Sequence, residues 1–309
     1  MPSVRTGFAT TDDGIQLHWR AVGQGPPIAC CNGVGVGTFF WKYFTRAFAD
    51  RFTVVTWDYR GHGRSDRRID PREMDLGIPR HADDLAAVLR AVRGRAETAL
   101  LVGHSMGCQV ALETRRRHPE LCAGLVLILG TAGKALETFY DSDRSPALFR
   151  LAHRFVFAFG NASNEIVRPL LESPLAWFVA RRMKLVDPFY APREDMLAYM
   201  HHLATLDLPM FIETVVRTND HDAWDLLPEI DRPLLVIAAE NDKFTPLHIS
   251  RRIQQLAPGA DLLVLADASH AALIEQPDTI NRRVARFLEE RLSDWSNPAA
   301  GAGRNAAGT

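Results

Sequence analysis

The sequence lacks the features that commit a protein to a membrane span or to nucleic acid. No apolar run reaches the roughly 18 residues that a membrane span needs, and the best candidate, 121–133, is typical of a buried strand. The N-terminal segment has no apolar core of a secretory signal, so we expect no signal peptide and a cytoplasmic location. The 36 basic and 37 acidic side chains give a net charge of -1, without the basic surplus that nucleic-acid binding requires.

Cysteine is also scarce, and no metal-ligand spacing relates Cys30, Cys31, Cys108 and Cys122. Cys30 and Cys31 are adjacent, which is a poor arrangement for a disulfide between them. We therefore expect four reduced, buried thiols, as is usual for a cytosolic protein. Neither a metal nor another cofactor is expected, and the expected partner is a small-molecule substrate.

Short apolar segments alternate with amphipathic segments along most of the chain. This alternation is typical of a mainly parallel sheet whose strands are joined by helices. The first two predicted strands flank the turn 11–14 and are expected to pair as a hairpin. The predicted strands are 5–10, 15–21, 27–31, 52–57, 99–102, 125–129, 233–238 and 262–265, and the predicted helices are 79–92, 106–117, 246–256 and 279–292.

The alternation stops between 133 and 227. These 95 residues contain no convincing strand, carry several prolines and are predicted to form short helices. The expected organisation is a sheet domain of 1–132 and 228–296, with 133–227 as a helical insertion. The tail 297–309 is rich in alanine and glycine and is predicted to be disordered.

The segment Gly103-His104-Ser105-Met106-Gly107 has the pattern Gly-x-Ser-x-Gly. A predicted strand enters it and a predicted helix leaves it, which is the setting that this motif requires. The sharp strand-to-helix turn holds the serine hydroxyl above the sheet, and glycine on both sides relieves crowding. Ser105 is therefore the candidate nucleophile, and it needs a base that is oriented by a carboxylate.

The chain resembles the α/β-hydrolase family, in its serine-nucleophile branch with a helical cap, on the motif at Ser105 and on two later segments. Segment 239–246 follows a predicted strand and matches the family's acid position at Asp242. Segment 266–270 follows the last predicted strand and matches the family's histidine at His270. The resemblance implies an α/β fold with an eight-stranded, mainly parallel sheet, and a triad of Ser105, Asp242 and His270.

The same resemblance implies two backbone donors for an oxyanion hole. One is the N–H of Met106, directly after the nucleophile, and the other is the N–H of Val34 in the loop after the strand 27–31. Relatives usually have His-Gly in this loop, whereas this chain has Asn32-Gly33. The Asn32 side chain can brace the loop in a similar way.

Other polar residues near these segments have simpler interpretations. Glu240 is an alternative acid beside Asp242, and Asp267 is expected to shape the loop that carries the histidine. His62 and His104 lie in segments that the family uses for structure and packing. The histidines without convincing metal-like partners are His201, His202 and His221.

The predicted activity is hydrolysis of a small to medium apolar carboxylic ester through an acyl-enzyme. A similar triad serves carbon–carbon bond hydrolases of the meta-cleavage type, lactonases and perhydrolases, and a hydrolase-like ligand receptor is the non-enzymatic alternative. In this family the cap usually sets substrate choice. Aromatic residues that would form an apolar wall in it, or simply its core, are Phe139, Phe149, Phe155, Phe157, Trp177, Phe178, Phe189, Tyr190 and Phe211. Arginines that would meet an acidic group, or simply lie in solvent, are Arg168, Arg181 and Arg182.

Overall fold

The computed structural model describes residues 2–67, 70–93, 97–173, 178, 182 and 192–296. The strands are β1 (Val4–Thr10), β2 (Gln16–Val22), β3 (Pro27–Cys31), β4 (Thr53–Trp57), β5 (Ala99–His104), β6 (Cys122–Ile128), β7 (Leu234–Ala239) and β8 (Asp261–Leu265). The helices are α1 (Lys42–Phe48), α2 (Ile78–Arg93), α3 (Met106–Arg117), α4 (Ser145–Phe159), α5 (Ala162–Leu171), α6 (Arg193–Thr205), α7 (Leu208–Thr218), α8 (Leu247–Leu256), α9 (Ala272–Glu275), α10 (Pro277–Arg291) and α11 (Ser293–Ser296).

All eight strands form one sheet in the order β1-β2-β4-β3-β5-β6-β7-β8. The pairs β1–β2 and β2–β4 are antiparallel, and the other neighbours are parallel. The first two strands form the predicted hairpin, with Thr10 opposite Gln16, and Gly14 in the turn has a φ of 84°. The predicted eight-stranded, mainly parallel sheet is confirmed.

The five central strands, β3 to β7, are buried along their whole length. Helices cover both faces of the sheet, so neither face of these strands meets water. In β5, Leu101 packs into the apolar cluster that contains residues of α2 and α3. Leu100 and Val102 point the opposite way, into the cluster that contains residues of α1 and α10.

Helix α1 is the main element that the sequence analysis missed. Its apolar positions Phe44 and Phe48, with Phe40 and Trp41 just before it, are all buried. The helix has only seven residues, which is about two turns and too short for a clear periodic signal. Most strand bounds differ from prediction by one or two residues, and β6 differs most, because it begins three residues early at Cys122 and stops at Ile128, where Leu129 has a φ of 52°.

The helical insertion, defined as residues 133–227, contains helices α4 to α7 and no strand within the part that the structure describes. Its two ends lie together on the sheet domain. The N–H of Ala223 donates to the carbonyl oxygen of Ala132 at 2.7 Å. The Gln109 amide on α3 donates to the carbonyl oxygens of Gly133 and Thr218 at 3.0 and 2.8 Å. The domain boundaries at 133 and 227 remain a prediction, and the tail 297–309 lies outside the described residues.

The four cysteines are buried and free. Burial raises the pKa of Cys31 and of Cys122 to about 12, so both are neutral thiols at physiological pH. Among the helices that the structure describes, none has the length and apolar character needed to cross a membrane.

Candidate active site

Ser105 occupies the turn between β5 and α3. Its φ of 55° and ψ of -121° are unusual for a residue with a side chain and carry a conformational cost. The turn is held by two backbone hydrogen bonds: Ser105 N–H donates to Ile128 O at 3.0 Å, and Cys108 N–H donates to Ser105 O at 2.9 Å. The surrounding backbone therefore fixes the position of the Ser105 hydroxyl.

The two glycines of the motif allow this turn to pack tightly. A Cβ on Gly103 would lie 2.3 Å from the carbonyl oxygen of Gly107. A Cβ on Gly107 would lie 2.1 Å from the carbonyl oxygen of Cys31 in the neighbouring strand β3. Both obstacles are backbone atoms that cannot rotate away, so glycine is required at both positions.

The three predicted triad residues lie in one hydrogen-bonded chain. His270 Nε2 is 2.9 Å from Ser105 Oγ, and His270 Nδ1 is 2.9 Å from Asp242 Oδ2. Asp242 follows β7, which ends at Ala239, and His270 follows β8, which ends at Leu265. The carboxyl ends of parallel strands meet at one edge of the sheet, and this brings the three segments together.

Asp242 is almost fully buried and accepts hydrogen bonds on both oxygens. Oδ1 accepts from the N–H groups of Phe244 and Thr245 at 2.8 and 3.0 Å, and Oδ2 accepts from the Thr245 hydroxyl at 2.7 Å. Burial alone would raise the pKa of Asp242, but the charge of His270 and these hydrogen bonds outweigh it and hold the pKa below its usual value. An ionised carboxylate only accepts, so His270 Nδ1 carries a proton toward Asp242, and in the neutral ring Nε2 is the acceptor for Ser105.

The loop after β3 runs beside the candidate nucleophile. A Cβ on Gly33 would lie 3.1 Å from Ser105 Cβ and 3.0 Å from His104 Nδ1. The Val34 N–H has no hydrogen-bond acceptor among the residues that the structure describes. Met106 is the first residue of α3, so its N–H has no partner within the helix. Neither predicted oxyanion donor is engaged elsewhere among these contacts, and their role in an oxyanion hole stays a prediction.

The Asn32 side chain holds the loop after β3 in place through two hydrogen bonds. Its Nδ2 donates to the Trp57 carbonyl oxygen at 2.8 Å, and its Oδ1 accepts from Trp41 Nε1 at 2.8 Å. Its own carbonyl oxygen accepts from the Tyr59 hydroxyl at 2.8 Å. Asn32 thus links the end of β3 to the end of β4 and to the turn before α1. Its side chain supports the loop in the way that the sequence analysis expects.

His104 has a position that the sequence motif alone did not reveal. Its Nε2 lies 3.1 Å from the carbonyl oxygen of His270, and the two rings are 5.1 Å apart. Burial, followed by the charge of His270, lowers the pKa of His104 to about 3, so the ring is neutral. A carbonyl oxygen can only accept, so His104 donates from Nε2. It joins the loop that carries His270 to the turn that carries Ser105.

A second brace fixes the turn that precedes His270. Ser269 donates its N–H and its hydroxyl to the two oxygens of Glu275, at 2.8 and 2.6 Å. The hydroxyl also accepts from the N–H of Ala271 at 3.2 Å. Sequence patterns do not reveal this contact, since it depends on how the turn folds back.

The remaining candidate residues lie outside this hydrogen-bonded chain. Glu240 is exposed, and Asp267 is exposed with a φ of 55° in the turn after β8. His62 Nδ1 is 2.9 Å from a backbone carbonyl oxygen two residues earlier. His202 packs against an aromatic ring at 5.5 Å, and His221 contacts a glutamate at 3.1 Å.

Part of the predicted aromatic wall lies near the triad. The Phe244 ring is 4.7 Å from the His270 ring and 4.9 Å from the Phe139 ring. The Phe149 ring lies 5.4 Å from the Phe139 ring. These rings form a continuous apolar path from the imidazole into the helical insertion.

The other predicted aromatic residues lie in different surroundings. Phe211 on α7 packs against the loop after β3, since a Cβ on Gly35 would lie 2.6 Å from its ring. Phe155 and Phe178 are 43% and 64% exposed, so they do not line the site, and Phe157 lies 5.7 Å from an arginine guanidinium. The spacing of aromatic residues along a helix does not indicate which side of the helix faces the protein interior. Those outside the described residues are Trp177, Phe189 and Tyr190.

The predicted arginines do not reach the triad where the structure describes them. Arg168 Nε donates to the carbonyl oxygen of Ala204 at 3.0 Å. Arg182 is exposed, and Arg181 lies outside the described residues.

Comparison with known proteins agrees with this architecture. Residues 26–277 match the profile of the family described as "alpha/beta hydrolase fold". The chain is 29% identical over 274 residues to "Putative carbamate hydrolase RutD" of Agrobacterium fabrum, covering 89% of this chain and 97% of that protein. It is also similar to a thermophilic esterase from Thermogutta terrifontis, with a TM-score of 0.73 and 24% identity over 93% of this chain and 98% of the other. A further similar structure is Est816, described as an N-acyl homoserine lactone degrading enzyme, with a TM-score of 0.68 and 25% identity over 91% of this chain and 100% of the other. The chain therefore belongs to the α/β hydrolase family.

Proposed function

We propose that this chain is a serine hydrolase that cleaves a carboxylic ester of a small to medium apolar substrate through an acyl-enzyme. The observation that carries the proposal is the hydrogen-bonded chain from Asp242 through His270 to Ser105, with 2.9 Å at both links to the imidazole. A serine, a base and an orienting carboxylate in this arrangement support nucleophilic attack on a carbonyl carbon. A cytoplasmic location remains a prediction.

The first half of the proposed reaction forms the acyl-enzyme. Ser105 Oγ attacks the ester carbonyl carbon while His270 Nε2 takes its proton. The N–H groups of Met106 and Val34 donate to the oxyanion that develops, and ionised Asp242 stabilises the imidazolium. The ester C–O bond then breaks, and His270 gives its proton to the leaving alcohol.

The second half releases the acid. A water molecule takes the place of the alcohol, His270 accepts its proton, and the resulting hydroxide attacks the acyl carbon. The tetrahedral intermediate collapses, the bond to Ser105 Oγ breaks, and the proton on His270 returns to that oxygen. The same two backbone donors serve both tetrahedral intermediates.

We also propose that the helical insertion caps this site and sets substrate choice. It approaches the site from two sides, through Phe139 beside the Asp242 loop and through Phe211 beside the loop after β3. Helix α6 is anchored to the sheet domain by Asp195, which is buried and accepts from the Tyr43 hydroxyl at 2.8 Å. Lys42 makes an ion pair with the same carboxylate. The apolar rings favour an apolar acyl or alcohol group.

Other carbonyl substrates are attacked by the same residues, and a substrate panel distinguishes them. The relative named as a carbamate hydrolase supports including a carbamate, and the similarity to Est816 supports including a lactone. We would compare p-nitrophenyl esters of increasing acyl length with a carbamate, a lactone and a meta-cleavage diketone. We expect the highest kcat/KM for an ester. Preference for the diketone would indicate a carbon–carbon bond hydrolase, and a single slow turnover would indicate a ligand receptor.

Replacement of the nucleophile tests the proposal directly. We expect Ser105→Ala to lose burst release of p-nitrophenol and to lower kcat by a factor on the order of 10⁴ or more. Ser250→Ala is the matched control, because its buried hydroxyl on α8 has no hydrogen-bond partner among the described residues and takes no part in the chain from Asp242 to Ser105. Unchanged turnover in Ser105→Ala, with both variants folded by circular dichroism, would refute the assignment.

A further inference from the structure

The start of the helical insertion is hydrogen-bonded to residues 242–245, which we call the acid turn. The Tyr140 N–H donates to the Lys243 carbonyl oxygen at 2.6 Å. The Thr138 hydroxyl lies 2.6 Å from the Phe244 carbonyl oxygen, and Thr138 is buried, so water does not readily compete for this contact. Two successive carbonyl oxygens of the acid turn are therefore held by the insertion.

The Thr138 hydroxyl has two acceptors within reach and serves the one in the acid turn. It also lies 2.8 Å from the Ala135 carbonyl oxygen, but a hydroxyl has a single proton to donate. The Ala135 oxygen already accepts from the Thr138 N–H at 3.2 Å, and the hydroxyl is closer to the Phe244 oxygen. The hydroxyl proton therefore belongs to the bond with Phe244.

The peptide units that the insertion holds are the same two that hold the triad carboxylate. Asp242 Oδ1 accepts from the N–H groups of Phe244 and Thr245 at 2.8 and 3.0 Å. The Phe244 N–H shares a planar peptide unit with the Lys243 carbonyl, and the Thr245 N–H shares one with the Phe244 carbonyl. Each unit is thus bonded to the insertion through its C=O and to Asp242 through its N–H. A carbonyl that accepts a hydrogen bond also polarises its unit and strengthens the N–H as a donor.

The backbone of the insertion is strained where it makes these contacts. Tyr140 and Asp141 have φ values of 55° and 48°, in the left-handed region that residues with a side chain rarely adopt. Such conformations persist only where the surrounding contacts impose them, and they cluster at functional sites. The strain lies directly beside the hydrogen bonds to the acid turn.

We propose that Thr138 is a positioning residue for Asp242, although it belongs to the insertion and touches no reacting atom. Its hydroxyl fixes the peptide unit whose N–H holds Asp242 Oδ1. The other oxygen of the carboxylate, Oδ2, then faces His270 Nδ1 at 2.9 Å. The inference rests on the proposed function, in which Asp242 orients His270 as the general base.

Removal of the hydroxyl alone tests this role. Thr138→Val keeps the branched shape, and we expect it to lower kcat for a p-nitrophenyl ester about tenfold while KM changes less than about twofold. Thr138→Ser restores the hydroxyl and should restore kcat. The matched control is Thr114→Val, because the buried Thr114 hydroxyl donates to the Val110 carbonyl oxygen at 2.7 Å within α3. The control should keep both constants.

Proton NMR gives a second readout that needs no substrate. The proton between His270 Nδ1 and Asp242 Oδ2 should resonate far downfield, and its loss in His270→Gln identifies it. A loosened acid turn lengthens this hydrogen bond, so the resonance should move upfield in Thr138→Val and stay in place in Thr138→Ser. If Thr138→Val does not fold, Thr138→Ala removes the same hydroxyl in both assays.

The proposal is overturned if a folded hydroxyl-free variant keeps the natural kcat, or if its resonance does not move. It is also overturned if Thr138→Ser is as slow as Thr138→Val, because the shape of the side chain would then matter and not its hydroxyl. Failure of the proposed function looks different: Ser105→Ala would hydrolyse the ester as fast as the natural chain. The NMR comparison would still decide whether Thr138 positions Asp242.

Discussion

Asn32→Ala tests how much the loop beside Ser105 depends on one amide. The substitution removes the donor to the Trp57 carbonyl oxygen and the acceptor for Trp41 Nε1, both at 2.8 Å. Trp57 and Trp41 are 0% and 1% exposed, so water does not readily replace the Asn32 amide as their partner. Both polar groups would be left buried and unpaired.

The expected loss of stability follows from these two groups. Each buried polar group that loses its partner costs about 1–3 kcal/mol, so Asn32→Ala should lower the free energy of unfolding by about 2–6 kcal/mol. The loop also holds the Val34 N–H in place. Removing one oxyanion donor lowers kcat on the order of 10²–10³-fold, so a loosened donor should lower kcat by at least about tenfold with little change in KM.

Urea unfolding at pH 7 and steady-state turnover of a p-nitrophenyl ester measure the two effects. Asn281→Ala is the matched control, because its half-buried amide donates to the Tyr43 carbonyl oxygen over a longer 3.4 Å. That variant should lose less than about 1 kcal/mol and keep its kcat. The reasoning is wrong if Asn32→Ala is as stable as this control, or if it is destabilised but keeps the kcat of the natural chain.

Two further substitutions test the packing around the triad. His104 has a pKa of about 3 against an ordinary 6.5, so between these values the unfolded state binds a proton that the folded state does not, and stability falls as the pH falls. Between pH 7 and pH 5, the free energy of unfolding of His104→Phe should therefore fall by about 2 kcal/mol less than that of the natural chain. Urea unfolding at both pH values measures this, and an equal fall for the two proteins would contradict it. Gly107→Ala places a Cβ 2.1 Å from the Cys31 carbonyl oxygen, so we expect a thermal midpoint lowered by about 5 °C or more, on the order of 3 kcal/mol, or no folded protein. Gly77→Ala is its control, since the nearest obstacle is an exposed carboxylate oxygen at 3.1 Å, and equal midpoints for the two variants would contradict the clash.

Much of the fold follows from local patterns in the sequence. Buried parallel strands are apolar along their whole length, so they can be recognised in the sequence. Helix α3 can be predicted because it follows the Gly-x-Ser-x-Gly motif, which requires a strand before it and a helix after it. The positions of Asp242 and His270 follow from a family resemblance, and the structure places His270 beside Ser105 and Asp242 beside His270. Ser105, Asp242 and His270 each lie within a few residues of the end of the strand that positions them, so a sequence pattern can identify them.

Contacts between distant segments were beyond such patterns. The hydrogen bond from His104 to the His270 carbonyl oxygen joins residues 166 positions apart, and neither local sequence predicts contact with the other. The aromatic residues of α4 look equivalent in sequence, yet Phe149 packs toward the site and Phe155 faces solvent. Helical periodicity defines faces, but only the neighbouring elements decide which face is inward.

With the role proposed for the helical insertion, its adjacent ends make selectivity and chemistry separable parts of this enzyme. Ala132, just before the insertion, accepts from Ala223 near the end of the insertion, and Gln109 on α3 holds Gly133 and Thr218 on the two sides. Lengthening a closed loop is inexpensive, since each doubling costs only about 0.6 kcal/mol of closure entropy. A segment of another length or sequence can be grafted between these stems, after the turn 138–140, while Ser105, Asp242 and His270 keep their supports. One hydrolytic scaffold can in this way acquire new substrates by exchange of a single module.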